Sequence, residues 1–134
     1  MKISLLCPTR KRPTFMKELW ESAHLNAHFK EDIELIFYID SDDIESIKMC
    51  ESLGANVHAI IDERGDGNLS VMWNRCYEKS SADIVMHCGD DIRFRTPLWD
   101  KVVLDEFDKY KDKIVLIYGS DGIRQDDLAT HSFL

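Results

Sequence analysis

The sequence predicts an α/β fold in which a mostly parallel sheet carries helices on both faces. Short apolar runs rich in β-branched residues alternate with segments of helical periodicity. Glycine, proline or acidic residues follow these runs directly, as they do where strands end in loops. With 134 residues, of which 44% are apolar, the chain fits one globular domain covering residues 1–134.

Five segments are predicted to form strands. They are Ile3–Cys7, Ile33–Ile39, Val57–Ile61, Ile84–Cys88 and Ile114–Tyr118. Each is a short apolar run, and the second is the strongest candidate because it is β-branched and aromatic. Since helical segments lie between consecutive strands, the sheet is expected to be mostly parallel, with right-handed connections.

The first two helices are predicted to follow the first two strands. Pro13 opens the first helix, because proline suits the first helical turn. Its buried face, at helical spacing, comprises Met16, Leu19, Trp20, Ala23 and Ala27. Asp42, with Glu45 three residues later, predicts a capping box at the start of the second helix, and Gly54 predicts its end.

The third and fourth helices are predicted from a cap and a proline. Asn68 caps the third helix, which runs to Lys79. Its buried side comprises Leu69, Met72, Trp73 and Cys76. Thr96 and Pro97 begin the fourth helix. Its apolar side comprises Trp99, Val102, Val103, Phe107 and Tyr110. The last residues are too apolar for a solvated tail, so the chain is either truncated there or begins a further element.

The composition argues against several functions. A formal net charge of −8 is unsuited to general nucleic-acid binding, which needs a basic surface. We expect no transmembrane segment, because no apolar stretch approaches about 20 residues, and no secretory signal is visible. The cysteines form no Cys-x-x-Cys pair, so we predict reduced structural thiols in a cytoplasmic protein. They are Cys7, Cys50, Cys76 and Cys88.

Polar residues concentrate where the predicted strands end. The loops concerned are Pro8–Arg10, Asp40–Asp43, Asp62–Asn68 and Gly89–Asp91. Because parallel sheets bind ligands beyond the carboxyl ends of their strands, we expect one ligand site here. A basic first loop facing acidic loops could hold a phosphorylated ligand together with a cation, and a solvated, unevenly charged surface is the alternative.

The pair Asp90 and Asp91 is the sharpest candidate within these loops. Neighbouring side chains diverge in an extended chain, so one carboxylate can hold Mg²⁺ or Mn²⁺ while the other binds a hydroxyl. His131, which follows a second acidic stretch, is a candidate second metal ligand. The alternative is a strand that ends in an acidic turn.

Three other residues have two interpretations each. Asp40 is expected to bind ligand, and the neighbouring acidic residues to cap a helix. Arg10 suits bidentate contact with phosphate, although it could simply lie in an exposed turn. Asn74 is a candidate ligand contact that also fits a structural hydrogen-bonding role within its helix.

Taken in order, these motifs resemble the nucleotide-binding half of a family-2-type glycosyltransferase with the GT-A fold. The segment Ile3–Arg12 is similar to the family's opening strand and Pro-Thr-Arg-x-Arg-Pro loop, and Tyr38–Asp43 to its second strand with an acidic end. The segments Gly67–Arg75 and Ser81–Asp91 resemble the helix bearing an asparagine and the strand leading to the DxD-type metal motif. The resemblance covers residues 1–118 and predicts a GT-A-like domain that is incomplete at its C-terminus.

The resemblance implies an inverting hexosyltransferase that binds a nucleoside-diphosphate sugar through Mn²⁺ or Mg²⁺ and transfers the sugar to an acceptor hydroxyl. Asp91 would be the metal ligand, with His131 as a second candidate. Asp90 would contact ribose or sugar, and Asp40 the base. The other predicted substrate-binding residues are Pro8, Thr9, Arg10, Asp42, Gly67, Asn68 and Asn74. The motif is partial, because Gly89 stands where the family often has its first aspartate.

No catalytic residue is predicted, because the family's general base lies well downstream, in an acceptor-binding half that this chain is expected to lack. The identities of the sugar, the nucleoside and the acceptor stay open. Two alternative functions also stay open. One is a non-catalytic nucleotide-sugar-binding or homodimerising domain. The other is a nucleotidyltransferase of related fold, although such enzymes usually have a glycine-rich first loop, and Pro8–Pro13 contains no glycine.

Overall fold

The computed structural model describes residues 1–63, 68–123 and 131–134. Gly67, which belongs to the predicted site, lies outside the described residues. The described residues form one six-stranded sheet with the strand order β3-β2-β1-β4-β6-β5. Its strands are β1 (Ile3–Thr9), β2 (Ile33–Asp40), β3 (Val57–Asp62), β4 (Ile84–His87), β5 (Ile117–Tyr118) and β6 (Ser132–Phe133).

The first four strands are parallel, which confirms the predicted α/β class. β1 pairs in parallel with both β2 and β4, and β2 pairs in parallel with β3. β6 is antiparallel to both β4 and β5. The carboxyl ends of β1, β2 and β3 are in register, with Asp40 opposite Asp62 and Thr9 opposite Ile39. The strand-end loops therefore share one edge of the sheet, as the sequence predicted.

Helices cover both faces of the sheet, also as predicted. They are α1 (Pro13–Asn26), α2 (Ile44–Ser52), α3 (Leu69–Lys79) and α4 (Trp99–Phe107), and a short 3-10 turn at Lys30–Asp32 precedes β2. On one face, α1, α2 and α4 pack against the larger core cluster. On the other face, α3 packs through Cys76 against a smaller cluster. None of the helices in the described part of the chain is long and apolar enough to cross a bilayer.

Alternation along the central strands creates these two cores. In β1, Leu5 and Cys7 belong to the larger cluster, whereas Leu6 between them belongs to the smaller one. Because successive side chains of a strand point to opposite faces, a continuous apolar run can serve both cores. The predicted apolar face of α1 is confirmed, since all five of its residues are buried.

Three predicted core residues are exposed instead. Leu69 and Val102 are both 52% exposed and Tyr110 is 46% exposed. Leu69 is the first residue of α3. Along α4 the residues that pack inward include Trp99, Val103 and Phe107. This four-residue spacing leaves Val102 on the flank of the helix, and Tyr110 lies beyond its end.

The predicted fifth strand is shorter than expected and pairs with β6, the strand that runs antiparallel to β4. Only Ile117–Tyr118 of the segment 114–118 is extended in the sheet, and Ile114 is exposed. The final residues form β6, which lies between β4 and β5 and places Phe133 opposite Met86. Backbone hydrogen bonds of 2.9 Å in both directions between Val85 and Leu134 extend this pairing. The apolar residues at the end of the sequence therefore belong to a strand of the sheet.

Candidate functional site

Asp90 joins the carboxyl ends of β4 and β1. It is only 1% exposed, and its Oδ2 accepts a 2.7 Å hydrogen bond from the Thr9 hydroxyl. Its Oδ1 lies 2.7 Å from Nη2 of Arg12. That contact lacks hydrogen-bond geometry, so among the described residues this buried oxygen has an ion-pair partner but no hydrogen-bond donor. Asp90 thus holds Thr9 and Arg12 together at the strand ends.

Arg10 joins the end of β1 to the end of β2. Its Nη1 forms an ion pair and hydrogen bond with the buried Asp40. Nη1 and Nη2 each also donate to a carboxylate oxygen of Asp42, at 3.4 Å. The hydrogen bond to Asp40 raises the pKa of Arg10 above its ordinary value. The structure therefore brings three predicted site residues together, but two carboxylates already engage the guanidinium that was expected to contact phosphate.

Asp43, rather than the predicted Asp42, caps α2. Asp43 is buried, and its Oδ1 accepts a 3.3 Å hydrogen bond from the backbone N–H of Ser46. Its Oδ2 accepts a 2.5 Å bond from the backbone N–H of Lys11, a residue with φ of 52°. Burial alone would raise the pKa of Asp43, but the bonds from Lys11 and Ser46 hold it below the ordinary value. The prediction for Asp42 was wrong because only Asp43 directs its carboxylate at the helix start.

Replacing Asp43 by alanine is expected to lower the free energy of unfolding by about 1–2 kcal/mol near neutral pH, because a helix cap is lost. Since folding lowers the pKa of Asp43, its contribution is complete above the ordinary aspartate pKa of about 4. It disappears as the pH falls through the lower folded-state value. Urea unfolding of both proteins between about pH 7 and pH 3 should show the difference shrinking in acid. A difference that stays constant would contradict this role.

The smaller of two clefts lies between α3 and the ends of β1 and β4, with a volume of about 480 Å³. Pro8 and Arg12 line it from the first loop, and Asp90 from the fourth. Trp73 and His87 form one wall, with ring centroids 5.3 Å apart and planes 13° from parallel. Burial lowers the pKa of His87, which favours its neutral form. This cleft combines a cation, a flat aromatic wall and a buried carboxylate.

The larger cleft has a volume of about 800 Å³ and lies on the other side of the same loop. Asp91 lines it and is exposed, as are Arg95 and Thr96. His131 lines both clefts. A Cβ at Gly89 would lie 2.7 Å from Oδ1 of Asp91, so the absence of a side chain at this position leaves room for that carboxylate. The two neighbouring aspartates are thus divided between the two clefts, as their divergence in an extended chain predicts.

The donor groups of this loop fit a divalent cation only in part. Within residues 1–63, 68–123 and 131–134, no group of three His, Cys, Asp or Glu side chains could enclose a metal ion. Arg12 neutralises Asp90, whereas Asp91 and His131 border the same cleft. A carboxylate with one further ligand suits Mg²⁺ or Mn²⁺ when phosphate oxygens and water complete the coordination sphere. The metal role of Asp91 and His131 stays a prediction.

Hydrogen bonds to the end of α1 anchor the loop that walls the larger cleft. The backbone N–H of Phe94 donates to the Ser22 hydroxyl at 3.1 Å, and Asn26 Nδ2 donates to the carbonyl of Phe94 at 2.9 Å. The indole N–H of Trp99 donates to the carbonyl of Ala23 at 2.8 Å. These contacts fix the loop after Asp91 without any regular secondary structure of its own.

The cysteines are all free and buried, in agreement with the predicted structural role. Burial raises the pKa of Cys76 to about 12 and that of Cys50 to about 11. A hydrogen bond with the Cys88 side chain, together with burial, raises the pKa of Cys7 well above its ordinary value. Such thiols stay protonated near neutral pH and are poor nucleophiles.

Six of the predicted contact residues line neither cleft: Thr9, Arg10, Asp40, Asp42, Asn68 and Asn74. Asn68 is exposed and caps α3 as predicted, with its Oδ1 accepting a 3.4 Å hydrogen bond from the backbone N–H of Val71. Asn74 is exposed on α3 and lines neither cleft. Sequence reasoning missed Arg12, Asp43 and the stacked pair of Trp73 and His87. The first loop contains two arginines, which indicated an anion-binding role, but the sequence gave no reason to prefer Arg12 over Arg10.

Comparison with known proteins gave structural neighbours only. No family model and no curated protein matches the sequence. S. aureus TarS 1–349 superposes with a TM-score of 0.63 at 18% identity, over 81% of this chain and 33% of that chain. A cytidylyltransferase from Leptospira borgpetersenii gives a TM-score of 0.67 at 12% identity, over 100% of this chain and 60% of that one. Glucosyl-3-phosphoglycerate synthase from Mycobacterium tuberculosis gives 0.59 at 15% identity, over 89% and 45%.

These neighbours establish the fold. The chain has the nucleotide-sugar transferase-like, or GT-A, fold that the sequence resemblance implied. It spans one third of TarS 1–349 and less than two thirds of the other two chains. At these low identities the likeness defines the architecture and the position of its strand-end loops.

Proposed function

We propose that this chain binds a nucleoside-diphosphate sugar at its strand ends and serves in transfer of the sugar to an acceptor hydroxyl. The observation that carries the proposal is the buried Asp90, which joins the first and fourth strand-end loops between two open clefts. Structures of TarS with UDP and with UDP-GlcNAc, and of glucosyl-3-phosphoglycerate synthase with UDP, support a nucleotide-sugar donor, here a uridine one.

The residues divide the chemistry between the two clefts. We propose that the donor occupies the smaller cleft and the strand-end loops beside Asp40, with its diphosphate near Asp90 and Asp91. Asp91 and His131 would hold Mn²⁺ or Mg²⁺, which when bound stabilises the charge on the leaving diphosphate. The acceptor would occupy the larger cleft, and a general base that we do not assign among the residues of this chain would remove the proton from its hydroxyl. The acceptor oxygen would form a bond to the anomeric carbon as the bond from that carbon to the diphosphate oxygen breaks, which would invert the anomeric centre. With a hexose donor the activity would be that of a hexosyltransferase.

The cellular setting is likewise a proposal. Four free, buried thiols support a reducing compartment, so we propose a cytoplasmic protein.

The carboxylates that border the larger cleft in the described residues are Asp91, Glu106 and Asp121. We assign no general base among them, because Glu106 is engaged by Lys109 and Asp121 accepts a 2.8 Å hydrogen bond from the backbone N–H of Ile123.

Thermal unfolding with nucleotides tests the proposal. A ligand that binds only the folded chain raises its Tm with concentration. We expect UDP and UDP-GlcNAc to raise the Tm, and MnCl₂ to increase the shift relative to EDTA. CDP, GDP and dTDP serve as base controls. If no nucleoside diphosphate raises the Tm while sedimentation shows a concentration-dependent dimer, the non-catalytic, homodimerising alternative is correct instead.

A nucleotidyltransferase is the second candidate, because the Leptospira cytidylyltransferase superposes over the whole of this chain. Such an enzyme binds a nucleoside triphosphate and releases pyrophosphate. The same assay separates the two candidates, since CTP or UTP should then raise the Tm more than the matching diphosphate. The glycine-free first loop, Pro8–Pro13, favours the sugar donor.

A further inference from the structure

We propose that Arg12, and not the predicted Arg10, binds a phosphate group in the smaller cleft, and that it does so without a metal ion. That the phosphate belongs to a nucleoside diphosphate rests on the proposed function. The role of Arg12 itself rests on its contacts in this structure.

Arg10 is poorly placed to accept a new anion. Both of its terminal nitrogens already donate to carboxylates, one to Asp40 and both to Asp42. Arg10 lines neither cleft. A phosphate would have to displace a buried ion pair with Asp40, which leaves a buried charge without its partner.

Arg12 has the opposite properties. Its side chain is 50% exposed and lines the smaller cleft. One nitrogen, Nη2, lies 2.7 Å from the buried Oδ1 of Asp90, outside hydrogen-bond geometry. The guanidinium is therefore held by charge while its planar set of N–H donors stays available. Such a fork suits the oxygens of a phosphate.

An aromatic ring holds this guanidinium in place. The Arg12 guanidinium carbon lies 5.3 Å from the ring centroid of Phe15, and that of Arg93 lies 5.4 Å from the same centroid. Arg93 is itself fixed, since its Nη1 donates to the carbonyl of Asp90 at 2.8 Å and its Nη2 pairs with Glu18. Cation–π contact with a supported ring limits the motion of Arg12, so less entropy is lost when an anion binds.

The structure also separates this phosphate contact from any cation. Arg12 and Asp90 border the smaller cleft, whereas Asp91 borders the larger one. A cation seated on Asp90 would meet the Arg12 guanidinium at the same oxygen and be repelled. The two positive charges therefore act from opposite sides of the loop, and their contributions to binding should be independent.

Calorimetry with UDP and with inorganic pyrophosphate tests this role, using the full chain in EDTA and again in MnCl₂. We expect Arg12→Gln to weaken UDP binding roughly tenfold to hundredfold in both buffers, as expected for loss of a charge-assisted contact. Lys101→Gln is the matched control, because Lys101 also pairs with an aspartate, Asp105, at 2.7 Å and lines neither cleft. It should bind UDP like the wild type.

The outcomes distinguish this inference from the proposed function. UDP binding by Arg12→Gln that equals that of Lys101→Gln overturns the role of Arg12 while the donor site stands. Binding of pyrophosphate through Arg12 without binding of any nucleoside diphosphate supports the role and overturns the proposed function. If the wild type binds neither UDP nor pyrophosphate, both the role of Arg12 and the proposed function are overturned. If Arg12→Gln is unfolded at the assay temperature, Arg12→Lys replaces it. We expect Arg12→Lys to bind UDP at least roughly threefold more weakly than the wild type, because a single ammonium group cannot contact the Asp90 carboxylate and a phosphate together as a guanidinium can. Unchanged UDP binding by Arg12→Lys overturns the role of Arg12.

Discussion

Replacing Asp91 by alanine is expected to remove the Mn²⁺-dependent part of UDP binding and to leave the part that is measured in EDTA. Asp91 is exposed and borders the larger cleft together with His131. It is the carboxylate of the Gly89–Asp91 loop that no arginine neutralises in the described structure. A cation bound there would attract the negative charge of the diphosphate, so the wild type should bind UDP roughly tenfold or more tightly in MnCl₂ than in EDTA.

Calorimetry on wild type, Asp91→Ala and a control variant checks this expectation. Asp105→Ala is the control, because Asp105 is exposed on α4, pairs with Lys101 and lines neither cleft. The control should keep the full difference between MnCl₂ and EDTA. If Asp91→Ala keeps it too, the metal ligand has been misassigned. A wild type whose affinity is the same in both buffers would refute the cation altogether.

The sequence predicted the positions of the strand ends well, for a simple physical reason. A buried parallel strand must be an apolar run, and the chain must turn polar where it leaves the sheet. Asp40 and Asp90 both mark such points, and both lie at the shared edge of the sheet as expected. The sequence pattern of apolar runs followed by polar residues therefore predicts the parallel strands and the edge of the sheet at which the candidate site lies.

That pattern could not predict which of two chemically identical residues has which structural role. Asp42 and Asp43 are neighbours with the same chemistry, and only the backbone angles decide that Asp43 caps α2. Arg10 and Arg12 are two residues apart, and their different partners, Asp40 and Asp90, come from different strands. Such assignments depend on the directions of side chains in space.

Long-range contacts escaped prediction for a related reason. Met86 of β4 pairs with Phe133 of β6, which lies 47 positions later in the sequence. A two-residue strand carries almost no periodic signal. The loop between β4 and α4 likewise gains its shape from α1, through Phe94 and Asn26. In neither case does the sequence around one partner indicate which distant segment it contacts.

Replacing Asp100 by alanine is expected to lower the free energy of unfolding by about 3–4 kcal/mol. Asp100 is fully buried in the first turn of α4. Its two carboxylate oxygens each accept a 2.7 Å hydrogen bond, one from the backbone N–H of His28 and the other from that of Phe29. Alanine would leave both of these partly buried donors without this acceptor, at about 1–3 kcal/mol each. A loss of this size is a large part of the roughly 5–15 kcal/mol that stabilises a domain.

Urea unfolding of Asp100→Ala, Asp100→Asn and Asp105→Ala measures the effect. Asn retains one acceptor and should lose about half as much, whereas Asp105→Ala on the same helix removes only an exposed ion pair and should cost less than about 1 kcal/mol. Equal stability of Asp100→Ala and Asp105→Ala would show that the segment at residues 28–29 finds other acceptors. Because Trp99 and the wall of the larger cleft are anchored on the same end of α1, loss of Asp100 should also loosen the cleft that Asp91 faces. The buried carboxylate that secures α4 to the segment after α1 thereby supports the geometry of the larger cleft, where we propose that the acceptor binds.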